Sequence, residues 1–212
     1  CQLKILNKIK IYSLYFMKKN LRHSIFVIKF IKKMMLIISL VLGMLTWTLL
    51  EYLLHRFLGH VHKGKNFFKS EHTLHHAKSN YFAPFYKKAI AAVIVAAFLI
   101  IILNFFTELI YAGSFTFGLI GMYIVYEHTH YRYHTSSPLI PPFIILRKHH
   151  FYHHFHNPKM NHGVTTRIWD RVFGTFVRVD IVKIPKQMTM DWLIEKGELK
   201  PAYLMHFMIN KR

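Results

Sequence analysis

The chain has 212 residues, 53% of them hydrophobic and 16% aromatic, and carries 29 Lys and Arg against nine Asp and Glu, a formal net charge of +20. Charge alone would permit nucleic-acid binding. The charges are segregated, however: no Lys or Arg stands between residues 89 and 127, while both flanks are dense in them. An ordinary soluble core would intersperse charge. A membrane protein with a basic face against anionic headgroups accounts for both features, and no nucleic-acid partner is expected. The single cysteine, Cys1, excludes an internal disulfide and any thiol-based metal or redox site, which leaves His, carboxylate and backbone as ligands.

Residues 1–33 alternate basic and apolar and hold nine Lys and Arg. They read as a basic N-terminal segment, interfacial or non-native. Met17, Met34 and Met35 are internal candidate starts, so the first 16 to 33 residues are expected to be dispensable. Residues 34–54 are apolar apart from Ser, Thr and Glu51. At about 1.5 Å per residue they can span a hydrocarbon core of about 30 Å. A polar, histidine-bearing segment occupies 55–88, and a second apolar segment 89–106. Residues 107–114 read as a turn punctuated by Gly113. The third apolar segment, 115–126, is short for a span and is expected to borrow residues from both sides. Beyond it the chain is polar, basic and histidine-rich. Within that part, residues 138–146 are apolar but too short to span and are expected in the interface.

Segment 55–88 carries seven Lys and Arg and 128–212 carries thirteen. Both are therefore expected on the cytoplasmic side, with the second and third apolar segments as a hairpin between them. The first segment fits this rule poorly, since one crossing would leave the basic N-terminus outside. The fold expected is all-α: an integral membrane helical bundle with a cytoplasmic, histidine-rich helical cap holding a dinuclear metal site. Residues 34–180 form the membrane-embedded unit and 181–212 a cytoplasmic tail. A short extended piece is expected only near 173–179.

Seventeen histidines are far above ordinary usage, and ten of them fall into four spaced groups. These are His55 with His60; His72, His75 and His76; His130 with His134; and His150, His153 and His154. On a helix, positions i, i+3 and i+4 share a face. Each His-x-x-His-His unit is therefore expected to point three imidazoles at one locus, and His130 and His134 to do the same with two. His55 and His60 lie about 140° apart on an ideal helix, and converge only if the helix bends or ends between them, near Gly59. Ten imidazoles are too many for one ion, and two ions with about five ligands each would use them all. A structural zinc closes with four ligands, while neutral imidazole also suits Fe, Cu and Ni. An all-histidine two-metal site beside a membrane fits O2-dependent redox chemistry on a lipid.

The other histidines read differently. His23 and His206 are taken as solvated, and His62 and His162 as loop residues. His128, His149 and His156 stand beside the motifs, as hydrogen-bond partners or mere neighbours. Glu51, one turn before His55, is a candidate to orient it or an interfacial carboxylate. Glu127 lies near His130, and Asp170 reads as an ion-pair or helix-cap residue. Trp47, Tyr52, Tyr126 and Phe143 are candidates by position to line an acyl path. Lys148 and Arg171 are candidates to dock an acidic carrier or headgroups.

At these residues the sequence resembles the fatty acid hydroxylase/sterol desaturase superfamily, over roughly residues 51–176. Glu51-Tyr52-Leu53-Leu54-His55-Arg56-Phe57-Leu58-Gly59-His60 is similar to its first motif and His72-Thr73-Leu74-His75-His76 to its second. Thr129-His130-Tyr131-Arg132-Tyr133-His134 is similar to the third, and Arg147-Lys148-His149-His150-Phe151-Tyr152-His153-His154 to the fourth. The stretch from Gly163 through Trp169-Asp170 to Thr175 resembles the segment that closes the family's domain. The resemblance implies an O2-dependent hydroxylase whose two Fe ions are held by His55, His60, His72, His75, His76, His130, His134, His150, His153 and His154, with Zn able to replace them in recombinant preparations. It implies a lipid acyl substrate. No segment here resembles cytochrome b5, so electrons are expected from a separate cytochrome b5-like or ferredoxin-like carrier. The third and fourth motifs lean toward the fatty acid 2-hydroxylase branch; a sterol or carotenoid hydroxylase or desaturase is the alternative within the superfamily. Outside it, the alternative is a histidine-rich membrane metal transporter or buffer. A transporter would need ligands near the midplane of its spans, and none of the ten histidines falls inside the apolar segments.

Overall fold

The computed structural model describes the backbone of residues 2–64, 66–137 and 141–210, and the side chains of 17–18, 20–64, 66–137 and 143–210. The expected interfacial piece 138–146 thus lies partly outside the described residues, as do most side chains of the basic N-terminal segment.

The described chain is mostly helical. Helix α1 (Gln2–Leu53) continues without a break into a π-helical segment, Leu54–Val61. It is followed by α2 (Phe67–Ala77), α3 (Phe85–Asn104), α4 (Leu109–Thr135), α5 (Pro141–Phe155) and the short α6 (Ile168–Val172). Asn66 caps α2, its side-chain oxygen accepting from Lys69 N–H at 2.8 Å, which satisfies one of the unpaired amides of the first turn.

Helices α3 and α4 are long and apolar enough to cross a membrane. No residue of α3 is buried, and Val93, Ile94, Phe98 and Ile101 stand exposed on it. An apolar surface of that extent is stable against lipid and not against water. Helix α4 supplies the residues that the short third segment lacked. Its 27 residues reach about 40 Å, more than the about 30 Å of a hydrocarbon core, so a crossing would leave one end beyond the core. Helix α1 crosses α4 with backbones almost touching. A Cβ on Gly43 would fall 2.0 Å from the Phe115 carbonyl oxygen, and one on Gly118 2.1 Å from that of Leu40. Ser114 Oγ donates to the Leu36 carbonyl at 2.8 Å across the same crossing. Small residues and a hydroxyl are what helix pairing in lipid requires, where there is no hydrophobic drive between helices.

The all-helical expectation needs one amendment. The described residues from 181 to 210 contain four short strands: β1 (Val182–Pro185), β2 (Ile194–Glu195), β3 (Glu198–Leu199) and β4 (Phe207–Asn210). β1 pairs in parallel with β4, Val182 opposite Phe207, and β2 with β3 antiparallel. Val182, Ile184, Leu193 and Phe207 are buried together with Tyr133 of α4, Phe151 of α5 and Val164. These residues buttress the histidine-bearing helices from behind. The extended piece expected near 173–179 forms no strand; the ladder begins at 182, where alternate residues turn inward.

Candidate metal centre

The structure brings all ten spaced histidines together, in two adjoining groups of five. One holds His55, His60, His72, His76 and His153; the other His75, His130, His134, His150 and His154. Within each group, one nitrogen from every ring lies within 4.8 Å of the others. The groups meet where the His76 and His154 rings stack at 4.1 Å between centroids.

Two features differ from the expectation. Each His-x-x-His-His unit is shared between the groups instead of serving one locus. His72 and His76, at i and i+4, face one group and His75 the other; likewise His153 turns one way and His150 and His154 the other. The shared face of α2 and of α5 thus lies along the seam, and its rings splay to either side. Second, His55 and His60 converge without a helix break. The π-helical turn spreads more residues around each turn than an α-helix, which brings positions i and i+5 to one side, with ring centroids 5.4 Å apart. Gly59 makes room for this: a Cβ there would lie 2.9 Å from the His72 ring.

Backbone carbonyls set the proton positions. His55 Nδ1–H donates to the His162 carbonyl, His153 Nδ1–H to that of Met160 at 2.9 Å, and His75 Nδ1–H to that of Tyr81 at 2.7 Å. In a neutral ring this leaves the Nε2 lone pair free for a ligand. Nε2 of His55, His75, His130 and His154 are indeed buried with no hydrogen-bond partner. Other nitrogens crowd one another. His60 Nε2 lies 2.8 Å from His72 Nε2 and 2.9 Å from His153 Nε2, which lies 3.1 Å from His76 Nε2. A ring nitrogen carries one proton or one lone pair, so His60 and His153 cannot satisfy two such neighbours each. A metal at the usual bond length of about 2.1 Å, with ligands at right angles, places neighbouring nitrogens about 3.0 Å apart. The donor set therefore fits two imidazole-bound ions. Burial, then the neighbouring imidazoles, holds His72, His150, His153 and His154 well below the ordinary histidine range. Burial likewise pushes His75 down to about 4 and His76 to about 3. Neutral imidazole is the form a metal takes.

The carboxylates act at one remove. The Glu51 carboxylate is taken up by other partners than His55: it accepts from the amides of Val164 and Thr165 and from the Thr165 hydroxyl. Asp170, fully buried, pairs with His149 in line with the ion-pair expectation and gathers further donors. It accepts from His149 Nε2 at 2.9 Å, from the amides of His162 and Gly163 at 2.8 Å, and from Thr175 Oγ1 at 2.7 Å. Because Thr175 spends its proton there, Tyr52 O–H donates to Thr175 Oγ1 at 2.9 Å and itself accepts from Arg56 at 2.7 Å. Asn161, at φ 58°, pins the same loop through Val177. These groups fix the loop whose carbonyls orient His55 and His153. His162, expected as a plain loop residue, is buried with its ring 5.1 Å from that of His153 and 5.4 Å from that of His55. The signal for it was its position beside Gly163, where the Gly163–Thr175 segment begins. Glu127 pairs with Lys88, not with His130.

A cavity of about 340 Å³ opens on the centre, with His72, His75 and His130 in one wall. Trp47 and Tyr126 line it as expected; Tyr52 does not, being stacked on Phe173 at 5.1 Å, and Phe143 borders a different cavity. The rest of the lining is largely apolar, with Leu54, Phe68, Phe82, Ala92 and Val95 in it, while Glu51, Glu71, Lys87, Lys88 and Glu127 supply a polar part.

Known proteins resemble this chain over the same stretch. The fatty acid 2-hydroxylase of Rattus norvegicus is 36% identical over 146 residues, 65% of this chain and 39% of that protein. A dihydroceramide fatty acyl 2-hydroxylase of Arabidopsis thaliana is 34% identical over 137 residues, 63% of this chain and 58% of that one. This chain thus spans from about two fifths to three fifths of these relatives. The solved structure of full-length Scs7p, in which only the hydroxylase domain is visible, superposes with a TM-score of 0.51 at 30% identity, covering 66% of this chain and 57% of that chain. The fatty acid hydroxylase family model matches residues 40–175, the stretch that carries all ten clustered histidines, and the chain belongs to that family.

Proposed function

We propose that the protein hydroxylates a fatty acyl chain, at its 2-position, with O2 as co-substrate and two irons held by the ten histidines. The observation that carries this reading is the cavity in which histidines of both groups meet an aromatic and aliphatic wall. When bound, the irons would supply O2 reduction and the oxidising power for a C–H bond; the balance is R–H + O2 + 2e⁻ + 2H⁺ giving R–OH + H2O. The chain's residues hold the substrate. Phe68, Phe82, Ala92 and Val95 take the acyl chain and exclude water. Lys87, paired with Glu71 at 3.2 Å, and Lys88, paired with Glu127, form the polar part of the same cavity. A headgroup held there keeps the carbon next to it close to the histidines, which favours attack at the 2-position over attack further down the chain. His55, His75 and His153 stay oriented through their backbone carbonyls, so little reorganisation accompanies the reaction.

In this reading the protein is multi-pass, with its histidine cap on the cytoplasmic face beside the basic segments. Electrons arrive from a separate acidic carrier that docks near Lys148 and Arg171. Expression with iron under ¹⁸O2 in a host lacking such activity, with lipid mass spectrometry, tests it. The expected result is a 2-hydroxy acyl product carrying one ¹⁸O, absent with His153→Ala. Full iron loading and a working electron donor without labelled product would overturn the reading.

A further inference from the structure

A second cavity, of about 420 Å³, lies between α4 and the start of α5. It shares no lining residue with the first. Ile124, Val125 and Phe143 form its apolar part, and Arg132 and Arg147 its charged part, with Thr129 and Ser137 adding hydroxyls. None of its described lining residues is Asp or Glu.

Arg147 is the unusual member. It is 2% exposed, and its Nε and Nη1 are buried without any hydrogen-bond partner. Nη2 donates to the Arg132 carbonyl at 2.9 Å. The guanidinium lies 4.3 Å over the Trp192 ring and 5.7 Å over that of Tyr133. Rings stabilise the face of a guanidinium but leave its in-plane N–H groups unanswered. Burial lowers the group to about 10, so it stays a cation at neutral pH. A buried cation without a counter-charge is costly, and its two unpaired N–H groups, one on either side of Nη2, call for anionic oxygens such as those of a phosphate.

The apolar wall identifies the source of that phosphate. Ile124 and Val125 are exposed on a helix of spanning length, and Arg132 lies two turns further along it, toward the end that outreaches the hydrocarbon. We propose that this cavity binds an anionic membrane phospholipid, its phosphodiester on Arg147 and Arg132 and its acyl chain along Ile124, Val125 and Phe143. A free phosphate would leave the apolar wall unused. The bound lipid would also brace the second histidine group, because Arg147 lies one turn before His150 and Trp192 Nε1 donates to the His134 carbonyl at 3.0 Å. The inference stands apart from the hydroxylase reading: it needs only the cavity and its arginines.

Native mass spectrometry of the full, metal-loaded chain released from nanodiscs tests it, with phosphatidylglycerol and phosphatidylcholine in equal amounts. One phosphatidylglycerol retained per chain is expected, at about tenfold preference, with the preference lost in Arg132→Gln and in Arg147→Gln. Arg132 is partly exposed, so its variant should keep native metal content and melting temperature and so separate lost binding from lost fold. Equal retention of the two lipids would overturn the proposal, as would a preference unchanged in both variants. Inorganic phosphate binding to the detergent-solubilised chain with no lipid preference would overturn the lipid assignment.

Discussion

The two histidine groups hold the same number of the same ligand, yet they are built by different means. The group of His75, His130, His134, His150 and His154 draws on three regular helices, α2, α4 and α5. The group of His55, His60, His72, His76 and His153 needs a π-helical turn, a glycine under His72, and a loop whose carbonyls at 160 and 162 orient two rings. That loop is held in turn by the buried carboxylates of Glu51 and Asp170. Helical periodicity places the rings of one group, with a single loop carbonyl, that of Tyr81, orienting His75. The other depends on irregular backbone, whose buried polar groups must each find a partner. The group of His55 should accordingly be the more sensitive to changes that touch no histidine.

His153→Ala is the harshest test. Its Nε2 faces both His60 and His76, so metal should be lost from that group and product formation should fall by at least about 100-fold, read by metal analysis and ¹⁸O incorporation. Loss of both ions together would show that the groups are not independent. Asp170→Asn keeps the shape and removes the charge that four donors face. We expect about 3 kcal/mol of destabilisation, with metal weakened at the His55 group before the other; equal weakening would break the comparison. Gly59→Ala pushes a methyl into the His72 ring and should cost about tenfold in metal affinity at the same group, leaving the other ion in place.

Acid reaches both groups. His75 has a folded value of about 4 against an ordinary 6.5, so the folded state binds fewer protons than the unfolded one. Its contribution to stability is complete above about pH 6.5 and is lost as pH falls toward 4, at up to about 1.4 kcal/mol per pH unit for each such ring. The melting temperature of the metal-free protein should drop between pH 7 and pH 5, and bound metal should blunt the drop. A flat profile would mean that these rings are not held neutral by burial. Ala92→Phe is the mildest change. It narrows the cavity proposed for the acyl chain at an α3 residue that is not a histidine and should shift chain-length preference about fivefold, with the metal content of both groups unchanged.

Much of the site was legible because its signals are local. Ligand type is written in the residue itself, and the i, i+3, i+4 spacing puts imidazoles on one helix face whatever the surroundings. The apolar runs likewise announce α3 and α4 by length and composition. The short strands after residue 181 were not legible, since pairs of two to four residues are too brief for alternation to register. That Glu51 works through the 160–165 loop and that Asp170 gathers four donors was not legible, because several of their partners are backbone amides, which leave no mark in a sequence.

By itself, then, the sequence determined the ten histidines, the apolar composition of α3 and α4, and the superfamily resemblance. Each rests on the chemistry or periodicity of neighbouring residues. Only the tertiary structure decided that each His-x-x-His-His unit is divided between two groups, that His162 stands among the rings, and that Arg147 is buried beside a cavity without a counter-charge. These depend on contacts such as that between His55 and the His162 carbonyl, 107 residues apart, and no local pattern encodes which distant backbone atom a side chain will meet.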